Sequence, residues 1–288
     1  MTFGDRPPSD AYLRATCQSL ATSCGLAKVS TLSTSVMPLL AGPLSTADQN
    51  CGGVSCFYSA TTKVTDYKSF VGPLMLWDVD GKLQLDFLSQ KGLRPNSTML
   101  DMGCGSLRFG QHAVQYLEAE RYFGIDVNSQ VLTLGYDELS TSLRRKLPRD
   151  HLLVTSHYDA SHWGSNRFDF AISASLWTHL SLSEIERCLV GVKGGMRKGG
   201  RFYASFFECP DAEACKAPVH TSSGLRKSDR TTYPDRDPFH HRSMSIRNTA
   251  EKHGIRMRYI GRWGANFYRS LPNAPRRQRP DIMLEFVF

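Results

Sequence analysis

The chain has no run near the roughly 20 apolar residues that a membrane-spanning helix requires; its most apolar short stretch, Val36 to Leu44, is interrupted by prolines and a glycine. A spanning helix is therefore not expected, and the sequence reads as that of a soluble protein. Acidic residues are missing from Ala11 to Ala47, where Ser and Thr abound and only Arg14 and Lys28 are basic. Such a composition suits an organellar leader, a loosely ordered leader or an extension covering a substrate. Short CxxC pairs are also missing among the 8 cysteines, so Cys17, Cys24, Cys51 and Cys56 do not read as a zinc knuckle. In a chain of 288 residues these thiols are dilute, and reduced cysteines in a cytoplasmic compartment are expected. Neither internal repeats nor low-complexity tracts are present.

What the chain does have is a formal net charge of +8 and a pI near 9.1. That balance permits an anionic partner, but acidic residues are interspersed with the basic ones, as on an ordinary solvated surface. The length suits one α/β domain plus a short extension. Residues 1–65 carry no sustained periodicity beyond a possible helix from Asp10 to Ser23, and the main domain is expected to span 66–288. Its lead-in helix runs through Leu74, Leu76, Trp77, Leu83, Leu85, Phe87 and Leu88 and ends near Lys91-Gly92. Beyond it, short apolar runs alternate with helical periodicity, the pattern of βα units around a mostly parallel sheet. The expected strands are Thr98–Met102, Arg121–Ile125, Leu152–Ser156, Phe168–Ser173, Gly200–Phe207, Arg256–Gly261 and Ile282–Phe288. Helices are expected over Ser106–Ala119, Ser129–Leu143, Ser181–Val192 and His241–His253. The fold class is therefore a doubly wound, seven-stranded, mostly parallel sheet with an antiparallel edge.

The strongest local signal is Leu100-Asp101-Met102-Gly103-Cys104-Gly105, at the end of an apolar strand and just before a helix. Gly103 and Gly105 remove side chains where the backbone turns tightly, and the next helix points its N-terminus into the same space. A tight strand-to-helix turn without a ligand gives the same pattern. About twenty residues on, Gly124-Ile125-Asp126 places a carboxylate at the next strand end, where it can accept ribose hydroxyls. An ordinary aspartate after a strand remains the alternative. Together the two features leave a nicotinamide nucleotide or S-adenosylmethionine open as the ligand.

The order of motifs resembles the class I, Rossmann-like S-adenosylmethionine-dependent methyltransferases. In that family an acidic residue stands two positions before GxG, as Asp101 does here. The resemblance continues through Gly124-Ile125-Asp126, Tyr158-Asp159-Ala160, Phe168-Asp169-Phe170-Ala171-Ile172-Ser173 and Arg197-Lys198-Gly199-Gly200-Arg201-Phe202. One departure from the dinucleotide fingerprint is that Arg108 fills its third glycine position, which a cofactor without a pyrophosphate tolerates. By this resemblance Asp101 orients the amino-acid end of S-adenosylmethionine, and Gly103, Cys104 and Gly105 line its edge. Asp126, with Val127, holds the ribose; Asp159 and the Ala160 amide recognise adenine; Ser173, at the end of the fourth strand, is a further cofactor-binding residue. Asp159 has a competing role as a capping turn residue.

Ser173 to Leu180 should lie at the carboxyl edge of the sheet, where ligands bind. The Asn/Asp-Pro-Pro-aromatic signature of base amino methylation is absent there. Cys209-Pro210 reverses, and misplaces, the Pro-Cys order of pyrimidine carbon methylation. The segment looks instead like that of small-molecule methyltransferases, with Trp177 and His179 after the strand. His179 is a candidate general base for a hydroxyl; capping or packing of the next helix is its structural alternative. Glu208 to Phe239 reads as an insertion covering the site. It brings Tyr233, His240 and His241 as candidate acceptor contacts, with Trp263 and Tyr268 facing them from a later loop. A His pair without a third ligand makes a poor metal site, so no metal is expected. Expected, then, is methyl transfer to an oxygen, less readily a nitrogen, of a small-molecule or glycan-like acceptor, with no membrane partner. Nucleic acid is disfavoured as a partner, although Arg144-Arg145-Lys146 and Arg276-Arg277-Gln278-Arg279 keep an RNA methyltransferase as an alternative. A non-catalytic cofactor-binding protein is the other. Oligomeric state has no signature in the sequence.

Overall fold

The computed structural model describes residues 67–72, 74–221, 230–263 and 281–288. The expected extension, its Asp10 to Ser23 helix, Tyr268 and Arg276 to Arg279 lie outside the described residues. The strands are β1 (Met99–Met102), β2 (Tyr122–Asp126), β3 (Leu152–Val154), β4 (Phe168–Ser173), β5 (Met196–Phe207), β6 (Val219–Thr221), β7 (Arg230–Thr232), β8 (Arg256–Arg262) and β9 (Asp281–Val287). Seven of them form one sheet in the order β3-β2-β1-β4-β5-β9-β8, while β6 and β7 make a separate antiparallel pair. β1 to β5 run parallel, and β9 is antiparallel to both β5 and β8. The antiparallel strand thus sits one place in from the edge. The order reverses between β1 and β4, so the loops leaving those two strands diverge and open a crevice at their carboxyl ends.

β1 and the last four residues of β4 are buried throughout because both of their faces are covered. One face packs Met99, Phe170, Ile172, Tyr203 and Met283 under Leu83 and Leu88 of α1 (Trp77–Gln90). In α1, Trp77, Asp80, Leu83, Gln84 and Leu88 recur at three- and four-residue spacing and are all buried. On alternate positions Leu100, Ala171, Phe202 and Phe286 are fully buried, with Trp177 packed against Phe202 and Phe286.

The remaining helices are α2 (Gly110–Tyr116), α3 (Ser129–Asp137), α4 (Thr141–Lys146), α5 (Leu182–Gly195) and α6 (Ser243–Lys252). Asn128 caps α3 by accepting from the Val131 amide, and Ser181 caps α5 by accepting from Glu184. The single helix expected over Ser129 to Leu143 is two. Ser140 accepts from the Leu143 amide and starts a new helix, offering the chain a local alternative to continuing the first. α2 begins at Gly110 rather than Ser106 because Leu107 stands at φ 61°, outside helical geometry. The hairpin β6-β7, three residues a side, carried no strand signal in the sequence. Cys209 and Cys215 are joined by a disulfide, contrary to the expectation of reduced thiols for that pair, whereas Cys104 and Cys188 are free and buried.

Candidate active site

The bend after β1 is fastened to the end of β2. The Gly103 and Cys104 amides both donate to the Ile125 carbonyl, at 2.8 and 3.0 Å, and the Gly105 amide donates to Oδ2 of Asp126 at 2.7 Å. Gly103 has φ 78° and Gly105 φ 53°, a region L side chains rarely enter. A Cβ on Gly103 would press on the side chain of Leu176, which belongs to the turn after β4; one on Gly105 would run into Val71. The glycines therefore let two neighbouring segments close in on the bend from either side.

The other oxygen of Asp126 accepts from the Asn128 amide at 2.8 Å, and the half-buried Val127 contributes its amide to the same carboxylate. Burial raises the Asp126 pKa, and the amides of Asn128, Gly105 and Val127 work against that rise. An ionised carboxylate offers about four acceptor positions. Three amide donors leave it room for a further donor.

Asp101, on the neighbouring strand, is buried, and its Oδ2 accepts from the Tyr122 hydroxyl at 2.7 Å. Burial lifts its pKa to about 7; the Tyr122 hydrogen bond opposes the rise, Asp126 adds to it and Arg108 opposes it. Tyr122 was not among the sequence candidates. Asp101 pairs with Gly124, and residues two apart on a strand share a face, so alternation and register together would have placed Tyr122 beside Asp101. Arg108 was missed as well. It pairs with the buried Asp80 at 3.4 Å, and its Nη1 donates to the Val71 carbonyl, tying the lead-in segment to the glycine bend.

From the other side of the crevice, Ser173 ends β4 with its Oγ fully buried and lacking a hydrogen-bond partner among the described residues. The turn that follows is held by Ser175, at φ 68°, whose amide donates to Ser205 Oγ at 2.8 Å, and by Thr178 Oγ1 donating to the Ser175 carbonyl at 2.6 Å. His179 on this turn is half-exposed, with Nδ1 2.7 Å from Asp237 Oδ1. Residues 233–241 lie on the same turn, with the Phe239 amide donating to the Thr178 carbonyl at 2.7 Å and His241 Nε2 donating to the Leu180 carbonyl at 2.8 Å.

Several expected site residues stand elsewhere. Cys104 turns its thiol inward against Gly124, in the space that glycine leaves. Trp177 is fully buried between Phe202 and Phe286 and fills core volume. Trp263 packs edge-on to Phe87, ring centroids 5.1 Å apart, under the opposite face of the sheet. His241 is buried and spends its Nε2 on Leu180, and burial lowers its pKa, so it is a neutral staple of the loop. His240 is buried with Nδ1 at 2.9 Å from Thr232 Oγ1, and Tyr233 lies under the Arg236 guanidinium at 3.9 Å. Asp159 takes its capping role: Oδ1 accepts from the Ser161 amide and hydroxyl, at 2.9 and 2.6 Å. It borders a surface depression of about 430 Å³ beside α5, lined by His157, Tyr158, Glu186, Val190 and His253. Ala160 is buried against Gly195. The structure thus brings together Asp101, Gly103, Gly105, Asp126 and Val127, with Ser173 and the His179 turn across the crevice. Among the described residues no three metal-ligating side chains converge, and no helix is long and apolar enough to cross a membrane.

Residues 100–204, from within β1 to within β5, match the family described as Methyltransferase domain. This part of the chain is a methyltransferase domain. Solved structures similar to this methyltransferase include an S-adenosylmethionine-dependent methyltransferase from Aquifex aeolicus, 15% identical, covering 78% of this chain and 97% of that one at a TM-score of 0.49. A magnesium protoporphyrin IX methyltransferase from Synechocystis with bound SAM is 16% identical, covering 73% of this chain and 81% of that one at a TM-score of 0.44. A putative S-adenosylmethionine-dependent methyltransferase from Listeria monocytogenes is 14% identical, covering 72% of this chain and 97% of that one at a TM-score of 0.49.

Proposed function

We propose that this methyltransferase transfers a methyl group to an oxygen of a small-molecule acceptor, with the cofactor held at the ends of β1 and β2 and the acceptor presented from the turn after β4. The carrying observation is the convergence at one sheet edge of the Gly103–Gly105 bend, the tethered Asp126 carboxylate and the buried Ser173 hydroxyl, which has no hydrogen-bond partner among the described residues. These residues fit the cofactor. Asp126 retains acceptor capacity for a ribose hydroxyl, the side-chain-free bend admits close approach, and the Asp101 carboxylate, once ionised, suits an ammonium group. Bound there, S-adenosylmethionine supplies an activated methyl, so the protein's task is alignment and exclusion of water. Residues 230–241, fastened to the 174–180 turn, provide a wall on the acceptor side. His179, half-exposed on that turn, is the candidate base.

On α4 Arg144 donates to the Asp137 carbonyl at 2.6 Å and Lys146 to the Gln115 carbonyl at 3.1 Å, and both cations keep further donors, so the RNA alternative is decided by experiment. The experiment is transfer of a labelled methyl from S-adenosylmethionine to a panel of phenols, aliphatic alcohols, carboxylic acids, amines and RNA, alongside calorimetric titration with S-adenosylhomocysteine. Label in a hydroxyl compound supports the proposal. Transfer only to RNA or amines replaces it, and cofactor binding without transfer to any acceptor favours the non-catalytic alternative.

A further inference from the structure

We infer that Asp237 is the positioning residue that holds His179 with its Nε2 available as a base, and hence that the acceptor group is an alcohol or phenol hydroxyl. This inference rests on the proposed oxygen methylation. The pair spans 58 positions of sequence, from the turn after β4 to the segment beyond β7, with Nδ1 and Oδ1 2.7 Å apart. Its burial is graded: the Asp237 side chain is 15% exposed and the His179 side chain 51%. The carboxylate sits behind and the imidazole in front.

The contact is not a chance meeting of two mobile side chains. Both backbones are fixed next to it, by the Phe239 amide on the Thr178 carbonyl and by His241 Nε2 on the Leu180 carbonyl. The Asp237 segment is closed on itself by the Tyr233 amide donating to the Pro238 carbonyl at 2.9 Å and the His240 amide donating to the Tyr233 carbonyl at 3.0 Å. On the opposite side, Ser175 at φ 68° and the Thr178 hydroxyl fix the turn bearing His179. A backbone held off its preferred region is a cost that recurs where a side chain must be aimed.

A carboxylate only accepts hydrogen bonds, so the imidazole facing it must carry its proton on Nδ1. The lone pair is then on Nε2, which is the arrangement a general base needs. A neutral amine brings its own lone pair to the methyl and sheds a proton afterwards, and a carboxylate arrives ionised. An alcohol or phenol is a poor nucleophile until its proton is taken. As the acceptor oxygen forms its bond to the methyl carbon, the carbon–sulfur bond breaks with its pair left on sulfur, and the hydroxyl proton passes to Nε2. The resulting imidazolium is held by Asp237 until it releases the proton to water.

Three measurements on the full chain test this. Two-bond 1H–15N correlation spectra of wild type, Asp237→Ala and Asp237→Glu at pH above 7.5, with His179 assigned by loss of its signals in His179→Ala, read the ring tautomer directly. Wild type is expected to show the Nδ1–H form, Asp237→Ala to shift toward Nε2–H and Asp237→Glu to keep part of the Nδ1–H population. Steady-state kinetics with the hydroxyl compound that best accepts labelled methyl should show kcat lowered about 10- to 100-fold in Asp237→Ala and partly restored in Asp237→Glu. Affinity for S-adenosylhomocysteine should be unchanged in all three. An Nε2–H tautomer in wild type overturns the pairing itself. An Nδ1–H tautomer with kcat unaffected in Asp237→Ala reduces the pair to a loop tie and overturns its catalytic use. Label passing from wild type only to amines, carboxylic acids or RNA overturns both the hydroxyl assignment and the proposed oxygen methylation, while the tautomer result still reports on the pair.

Discussion

The amide of Gly105 donates to the carboxylate of Asp126 across 2.7 Å, so the group expected to bind the cofactor's ribose also anchors the bend that shapes its site. Binding and local stability are coupled there. Asp126→Ala removes the acceptor for the Gly105, Asn128 and Val127 amides, and each partly buried donor left unmade costs about 1–3 kcal/mol. The variant should lose S-adenosylhomocysteine affinity by at least about 100-fold, the scale of a charged hydrogen bond plus a slackened loop. Its melting temperature should fall as well. Calorimetric titration and thermal unfolding read the two effects, and wild-type affinity in a protein that melts lower would remove Asp126 from the cofactor site.

The Asp101 pKa of about 7 sets a pH dependence whose sign follows from linkage. Its folded value lies above the ordinary carboxyl value, so the folded state retains a proton that the unfolded chain has lost. Stability from this group is complete below about pH 4 and is lost as pH rises toward 7. Asp101→Asn cannot ionise, yet its side-chain oxygen still accepts from Tyr122. Urea unfolding should therefore find this variant more stable than wild type at pH 8, by an amount on the order of a few kcal/mol, with the difference vanishing near pH 4. Cofactor affinity moves oppositely, since an ammonium group favours the ionised acid. It should rise through pH 7 in wild type and stay flat in the variant. A parallel pH response in both proteins would show that Asp101 does not titrate in this range.

Much of this fold was legible in the sequence because its signals are local. The strand ends at Met102, Ser173 and Phe207 coincide with those expected, since apolar runs closed by glycine or polar residues mark buried parallel strands by themselves. The glycine bend and Asp126 were also readable, being set by spacing along consecutive βα units. What stayed hidden depends on contacts between distant segments. Nothing near Asp237 announces that it meets His179, and nothing near Trp177 or Trp263 separates an aromatic that fills the core from one that faces a ligand. Composition spoke for both roles; only packing assigns them. Asp159 shows the same limit from the other direction. Its motif resembles the family's adenine turn, and the structure adds a capping role through its hydrogen bonds to Ser161, which spacing alone did not separate from ligand binding.

Arg108 and Asp80 form a clamp between α1 and the glycine bend, with side chains 11% and 2% exposed. Removing either partner breaks this buried ion pair, which typically costs about 3–5 kcal/mol, whereas removing both takes the two charges away together. Asp80→Ala and Arg108→Ala are each expected to be strongly destabilising, and the double variant is expected to be less destabilised than the sum of the two. A double-mutant cycle by urea unfolding measures the difference. Strict additivity would mean that the contact contributes nothing beyond separate packing of the two side chains.

Trp177 provides the sharpest contrast between a core residue and an acceptor contact. It is fully buried, with its ring 5.8 Å from Phe202 and 5.4 Å from Phe286, centroid to centroid. Truncation to Ala should cost about 3–5 kcal/mol through lost burial and the cavity left behind, and Trp177→Phe, which leaves a smaller gap, should cost less. An acceptor contact would behave differently, changing acceptor KM at little cost in stability. Both variants are therefore expected to lower the urea midpoint in proportion to the volume removed. Trp177→Phe, still folded at 25 °C, should accept the same hydroxyl compounds as wild type with KM within about threefold, since a core substitution that keeps the fold leaves uniform binding nearly untouched. A Trp177→Phe protein of normal stability but altered acceptor preference would instead place this ring on the acceptor wall.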